Sequence, residues 1–255
     1  MKIAIVFGGQ PRFFEGPSYD SVKKYLLDRY TCDIYAHFWF SDDSSTVYEA
    51  APWALLPNLQ FPSDTIDRFC ELYKPKKIVY ESPSVAPPPN REYTNAHYSR
   101  AGYDLSSRFH SIQRAFKLVE DPKEYDFIIY MRSDIVILKL PNLNLFDTNK
   151  LYLVPIGEYG KTTHIEHLYP ICLNDSFCII PPKYSAKFFN AIDYFDIIYD
   201  KGCIMNGEEI FTGNIYLHDL IDKAYVFHPS EFQCAIQRRD NQYYNINTPH
   251  HQHLL

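Results

Sequence analysis

The sequence predicts an α/β/α sandwich built around a mostly parallel central sheet, and three observations carry that expectation. Strand and helix signals alternate through the first half of the chain. Residues 2–7 (KIAIVF) form an almost unbroken apolar run, the pattern of a strand covered on both faces. Residues 125–140 (YDFIIYMRSDIVILKL) give the strongest strand signal, apolar except at their centre.

The elements follow in order. A helix is expected over 18–30, with Val22, Tyr25, Leu26 and Arg29 along one side. Residues 32–40 (CDIYAHFWF) read as the second strand. A short helix over 62–74 starts at Pro62 and Ser63 and carries Ile66, Phe69, Cys70 and Tyr73 at i, i+3, i+4 and i+7. Residues 76–80 (KKIVY) are the third strand. The run 82–90 (SPSVAPPPN) is a surface loop rather than an interdomain linker, because proline blocks helix and central strand alike. A long helix over 95–119 ends before Asp121-Pro122 and leads into the strand at 125–140. The second half is less regular, with strands at 151–155, 176–180 and 224–228 and helices at 185–199 and 208–221. An antiparallel contribution to the sheet is expected there.

Composition narrows the function. A chain of 255 residues fits one ordinary domain, since domains cluster near ~100–150 residues and α/β ones run longer. With 46% hydrophobic and 22% charged residues it is globular, not disordered, collagenous or coiled coil. Lys+Arg 25 against Asp+Glu 31 leaves −6, which excludes a general electrostatic footprint for nucleic acid. The 22 Tyr, 18 Phe and 2 Trp fit either a sugar-stacking surface or AT-rich codon usage. Six scattered cysteines without a CxxC pair read as reduced core residues of a cytosolic protein. No apolar run approaches the ~20 residues that span a bilayer. The N-terminal run meets Gly8-Gly9-Gln10 instead of a small-residue cleavage site, so it reads as a strand and not a leader.

Five places carry residues suited to chemistry. Gly8-Gly9-Gln10-Pro11-Arg12 follows the first strand, where glycines permit close backbone approach and Arg12 suits a phosphate. It matches neither GxGxxG nor a P-loop. Arg132-Ser133-Asp134 interrupts an apolar strand, and two ionisable groups there imply either a structural pair or a strand break at the sheet's carboxyl edge. In the second case Asp134 suits Mg²⁺ or Mn²⁺ and Arg132 a phosphate. Gly207-Glu208-Glu209 opens a helix, as a capping turn or as a rigidly held general base. His228 ends the last strand, either as a structural histidine or as a second metal ligand. Asn174-Asp175-Ser176 precedes a strand, as a plain turn or as a loop that contacts the sugar acceptor. His164 and His167, and the tail histidines His250, His251 and His253, are less persuasive. The chain lacks a GxSxG elbow, an HExxH pair and the kinase set, so serine hydrolase, zincin and kinase chemistry have no support.

In this order the pieces resemble a glycosyltransferase of the GT-A type. IIYMRSDIVI is similar to the WavE-like lipopolysaccharide- and capsule-synthesis transferases and related viral enzymes, in which RSD replaces a DxD motif. NDSFCII and GEEIFTGNIYL look like later blocks of the same group, so the likeness covers most of the chain. The resemblance implies a GT-A-like fold, with residues 1–140 binding a UDP- or GDP-sugar and 141–255 binding a glycan acceptor. It implies Gly8, Gly9, Gln10, Arg12, Arg132 and Asp134 at the donor, and Mn²⁺ or Mg²⁺ on Asp134 and His228. It gives Glu209 first and Asp175 second as catalytic base, in cytoplasmic polysaccharide biosynthesis, or in a host's cytoplasm for viral members. The first carboxylate of DxD is Arg132 here, so its guanidinium replaces part of the cation's charge. Two alternatives stand beside it, a non-catalytic glycan-binding protein on a transferase scaffold and a sugar-phosphate nucleotidyltransferase.

Overall fold

A computed structural model describes residues 1–43, 45–48, 59–96, 100–156, 168–237, 243–245 and 253–254. Its larger sheet holds β1 (Lys2–Gly9), β2 (Thr31–Trp39), β3 (Lys77–Glu81), β4 (Phe127–Met131), β6 (Leu151–Pro155), β7 (Leu173–Ile180) and β8 (Ala224–Val226), in the order β3-β2-β1-β4-β7-β6-β8. Every neighbouring pair is parallel except those of β7, which runs against both β4 and β6. The result is a mixed α/β fold with a mostly parallel, Rossmann-like central sheet, as the sequence predicts. A smaller antiparallel sheet joins β5 (Ile135–Lys139), β9 (Gln233–Gln237), β10 (Tyr243–Asn245) and β11 (His253–Leu254).

Helices cover both faces of the larger sheet, which explains the apolar run of β1. Ile3, Ile5 and Phe7 enter one apolar cluster with Phe69 and Tyr73 of α2 (Thr65–Tyr73). Ala4 and Val6 enter the other with Leu105, Phe109 and Ile112 of α3 (Ala101–Lys117). Aromatic rings fill much of this interior. Phe7 meets Phe69 edge-on at 5.6 Å, and Phe116 stacks on Phe189 at 4.4 Å. Many of the abundant aromatics are therefore core.

Local chemistry sets the helix ends. α1 (Pro17–Val22) begins at a proline, whose fixed φ suits the first turn, and runs on through a π-helical stretch at Lys23–Leu27. α2 stops where Lys74 turns left-handed. In the second half the helix expected over 185–199 is broken into α4 (Pro182–Phe189), a 3₁₀ turn at Ala191–Tyr194 and α5 (Phe195–Asp200). α6 (Gly207–Leu217) follows.

Three expectations are revised. The strand expected over 125–140 is two strands in two sheets, because Arg132 and Asp134 pair with each other and turn the chain. β7 begins three residues earlier than expected and includes Asn174 and Asp175. β9 had no counterpart in the sequence reading. All six cysteines are free, four of them buried. Among the described residues, no helix is long and apolar enough to cross a membrane.

Gly8 sits where α3 presses on β1: a β carbon there would lie 2.8 Å from the Ile112 Cα. Backbone cannot swing aside as a flexible side chain does. Gly8→Ala is expected to lower stability by about 1–3 kcal/mol, read as a reduced urea midpoint. An unchanged midpoint would contradict this account of the packing.

Candidate functional site

The strand order reverses between β1 and β4, and in open α/β sheets the crevice beyond the strand ends at such a point receives ligands. Two of the sequence motifs meet there. β1 ends at Gly9, whose φ of 118° favours glycine, and the chain continues through Gln10 and Arg12. Ser133 stitches this loop to the turn after β4. Its Oγ accepts the Arg12 N–H at 3.1 Å and lies 2.9 and 3.1 Å from the Arg12 and Gln10 carbonyl oxygens. The Arg12 Nε donates to Gln10 Oε1 at 2.6 Å. Gly8 is explained by the close packing of α3.

The reversed direction of β7 brings its first residues to the same edge. The Arg132 N–H donates to the Ser176 carbonyl at 3.0 Å, which puts Asp175 beside the end of β4. Arg108 reaches across from α3. It ion-pairs with the Asp175 carboxylate and donates to the Asp175 carbonyl at 2.7 Å and the Tyr130 hydroxyl at 3.3 Å. α6 directs its N-terminus at this pair. A β carbon at Gly207 would run into Asp175 Oδ2 and lie 3.0 Å from Arg108 Nη1, so any side chain there would have to displace this ion pair.

Arg132 and Asp134 form a two-pronged ion pair, Nε to Oδ1 at 2.9 Å and Nη2 to Oδ2 at 2.7 Å. Asp134 is 1% exposed, while the Arg132 side chain keeps 21% of its surface open. The arginine of the pair therefore keeps some solvent access, while the carboxylate is enclosed.

The two glutamates of α6 have different surroundings. Glu209 is buried and caps the helix. Its N–H donates to Asn206 Oδ1 at 2.8 Å, and its carboxylate accepts from the Ile204 N–H at 2.9 Å and the Asn206 amide at 3.4 Å. Glu208 is half-buried among the ions of the site. Burial and the Asp175 charge push its carboxyl up to about 7, against the pull of Arg108 and Arg132.

His228 is not brought to Asp134. Its Nδ1 lies 2.7 Å from Ser230 Oγ, and the Ser230 carbonyl accepts from Lys139 at the far end of β5. Asp134 precedes that strand and Lys139 closes it, about 16 Å away by strand rise, so His228 is tied to the end of β5 opposite Asp134. With both Asp134 oxygens held by Arg132, this pair does not fit a shared Mn²⁺ or Mg²⁺ ion. Among the described residues, no group of three or more His, Cys, Asp or Glu side chains could hold a metal ion. His164, His167, His250 and His251, and the side chain of His253, lie outside the described residues.

Arg108 and Tyr130 were not singled out from the sequence. The signal for Arg108 was present. It falls on the α3 stripe that includes Ala101, Leu105 and Ile112, and a charge at core spacing needs a buried partner. No family model and no curated protein matches the chain.

The charge environment of Glu208 is testable without knowing the reaction. Because its folded value lies above the ordinary 4.5, the folded state holds a proton that the unfolded chain has released, and stability falls as pH rises between the two values. Glu208→Gln should therefore stabilise the protein by about 1–3 kcal/mol at pH 8 and by little at pH 4. Equal effects at both pH values in urea unfolding would remove the electrostatic explanation.

Proposed function

We propose that the chain is a GT-A-type glycosyltransferase, moving a sugar from a UDP- or GDP-linked donor to a glycan or glycoconjugate acceptor at this sheet edge. One observation carries the reading. The Gln10–Arg12 loop and the Arg132-Ser133-Asp134 turn are joined through Ser133 at the strand-order reversal, beside Arg108, Asp175 and Glu208.

Arg132 faces the donor diphosphate, and Asp134 fixes its plane. Gln10 and Arg12 border the nucleotide on the other side of the crevice. As the bond from the sugar's anomeric carbon to the phosphate oxygen breaks, its electron pair leaves with the diphosphate. A guanidinium already in place stabilises that growing charge without reorganising. In an inverting transfer the acceptor hydroxyl forms the new bond and surrenders its proton to a carboxylate. Glu208 takes that role, because it keeps some solvent access and is poised near neutral pH, whereas Glu209 is occupied as a cap. Asp175, locked to Arg108, raises the basicity of Glu208 and positions the helix start. Since Asp134 and His228 do not fit a shared ion, charge neutralisation is assigned to the guanidinium groups.

A screen of UDP- and GDP-sugars should give donor hydrolysis that persists within about twofold after EDTA treatment. Arg132→Lys keeps a partner for buried Asp134 but loses the fork, and should lower kcat/KM about 100-fold. Full activity in Arg132→Lys would sink the donor assignment. Release of pyrophosphate from a nucleoside triphosphate would instead indicate a nucleotidyltransferase, and glycan binding indifferent to nucleotide a lectin.

Transfer rates should climb with pH and level off above about 7, as Glu208 loses its proton. Glu208→Gln should lower kcat by about 10²–10⁴-fold and flatten that profile, whereas the same profile in the variant would place the base elsewhere.

A further inference from the structure

Beneath the loop that ends β1 runs a second chain of polar groups, separate from the ions of the crevice. Ser111 of α3 has no exposed surface, and its Oγ accepts the Gly9 N–H at 2.7 Å. The same Oγ lies 2.8 Å from Nδ1 of His37 on β2, and His37 Nε2 lies 3.1 Å from Glu81 Oε2 at the end of β3. Arg114, one turn along α3 from Ser111, ion-pairs with Glu81 and places its guanidinium 5.0 Å from the Trp39 ring. A hydroxyl, an imidazole and a carboxylate in line are the parts of a hydrolase relay. Here Ser111 is 0% and His37 1% exposed, so a substrate does not reach the hydroxyl.

Proton counting gives the chain its direction. Burial, and then the Arg114 charge, lower His37 to about 4, so the ring is neutral at pH 7 and carries one N–H. The Glu81 carboxylate accepts only, which places that proton on Nε2. The single Ser111 proton then points at His37, between Nδ1 and the carbonyl oxygen 2.8 Å away. The lone pairs of Ser111 are left for the Gly9 N–H. Around Gly9 itself nothing lies within 4 Å of the place a β carbon would occupy. Beyond its place opposite Phe38 at the end of the β1–β2 ladder, this peptide is held by the inward hydrogen bond and not by side-chain packing.

We propose that Ser111 is a positioning residue, which holds the Gly9 peptide while His37, Glu81 and Arg114 hold Ser111, so that residues 9–12 keep the shape that receives the anionic donor. This rests on the donor site proposed above. Ser133 still holds Gln10 and Arg12 from the β4 side, so loss of Ser111 loosens the Gly9 end alone; that end is reordered on binding, and the effect belongs to KM and not to kcat.

The test compares Ser111→Ala, Ser111→Cys (near in size, weak as an acceptor) and Ser111→Thr, which keeps the hydroxyl. Donor hydrolysis should show KM for the nucleotide sugar raised about 3- to 10-fold in the Ala and Cys variants, with kcat within twofold and recovery in Thr. Amide exchange at Gly9, followed by NMR, should quicken in Ala and Cys relative to its β1 neighbours. The Cys variant serves if Ala fails to fold. Unchanged Gly9 exchange, or a loss confined to kcat, overturns the proposal. If the wild-type protein turns over no nucleotide sugar, the donor reading fails, and the Gly9 exchange arm still decides whether Ser111 anchors the loop.

Discussion

The Arg132–Asp134 pair organises the sheet edge. An ionised carboxylate with 1% of its surface open would cost several kcal/mol if left unpartnered. The guanidinium two residues earlier answers both oxygens in a planar fork, and the three-residue turn follows from that geometry. β4 therefore cannot run straight on, and β5 departs into the smaller sheet, where the Asp134 carbonyl accepts the Gln237 N–H at 2.7 Å. Between the two strands Ser133 is held against the end of β1. One ion pair thus ends a strand, links two sheets and leaves a guanidinium at the rim.

The second constraint is the direction of β7. In a sheet with all strands parallel, residues 173–176 would lie at the opposite edge from the ends of β1 and β4. Reversal of this one strand brings Asp175 to the carboxyl edge, and α6, packed on β7 through the Leu173 N–H and Thr212 Oγ1 at 2.8 Å, arrives with its N-terminus beside it. Gly207 completes the approach because any side chain would strike the Asp175 carboxylate. Residues a hundred positions apart, Arg108 and Glu208, meet beside the Asp175 that this reversal brings to the edge.

These facts explain what was legible in the sequence and what was not. The apolar runs of β1, β2, β3 and β6 and the helical spacing of α2 are local patterns, and these elements were found close to their expected spans. The polar interruption at 132–134 was legible as an anomaly, with a structural pair and a strand break as competing readings. The structure has the pair, and the strand breaks at it. The choice between Glu208 and Glu209 was not legible, because adjacent positions on a helix differ by about 100° in direction. Only the cap at Asn206 settles which faces inward. The placing of His228 depends on how β5 and β8 sit across two sheets, and no short window of sequence contains that.

Electrostatic balance favours an anion at the crevice over a neutral sugar alone. Arg108 and Arg132 face the site against the carboxylates of Asp175 and Asp134, which makes two fixed pairs, and Arg12 stands on the adjoining loop. Glu208 is the variable member. Near neutral pH it is partly protonated, which lessens the negative charge that a diphosphate would meet. In the proposed transfer, a carboxylate less stabilised as an anion is the better proton acceptor, and burial and the Asp175 charge put Glu208 in that condition. A deeper carboxylate, such as Asp134 with both oxygens engaged, lacks that freedom. The division between carboxylates that hold arginines and one that holds a proton is what the cluster adds beyond its separate motifs.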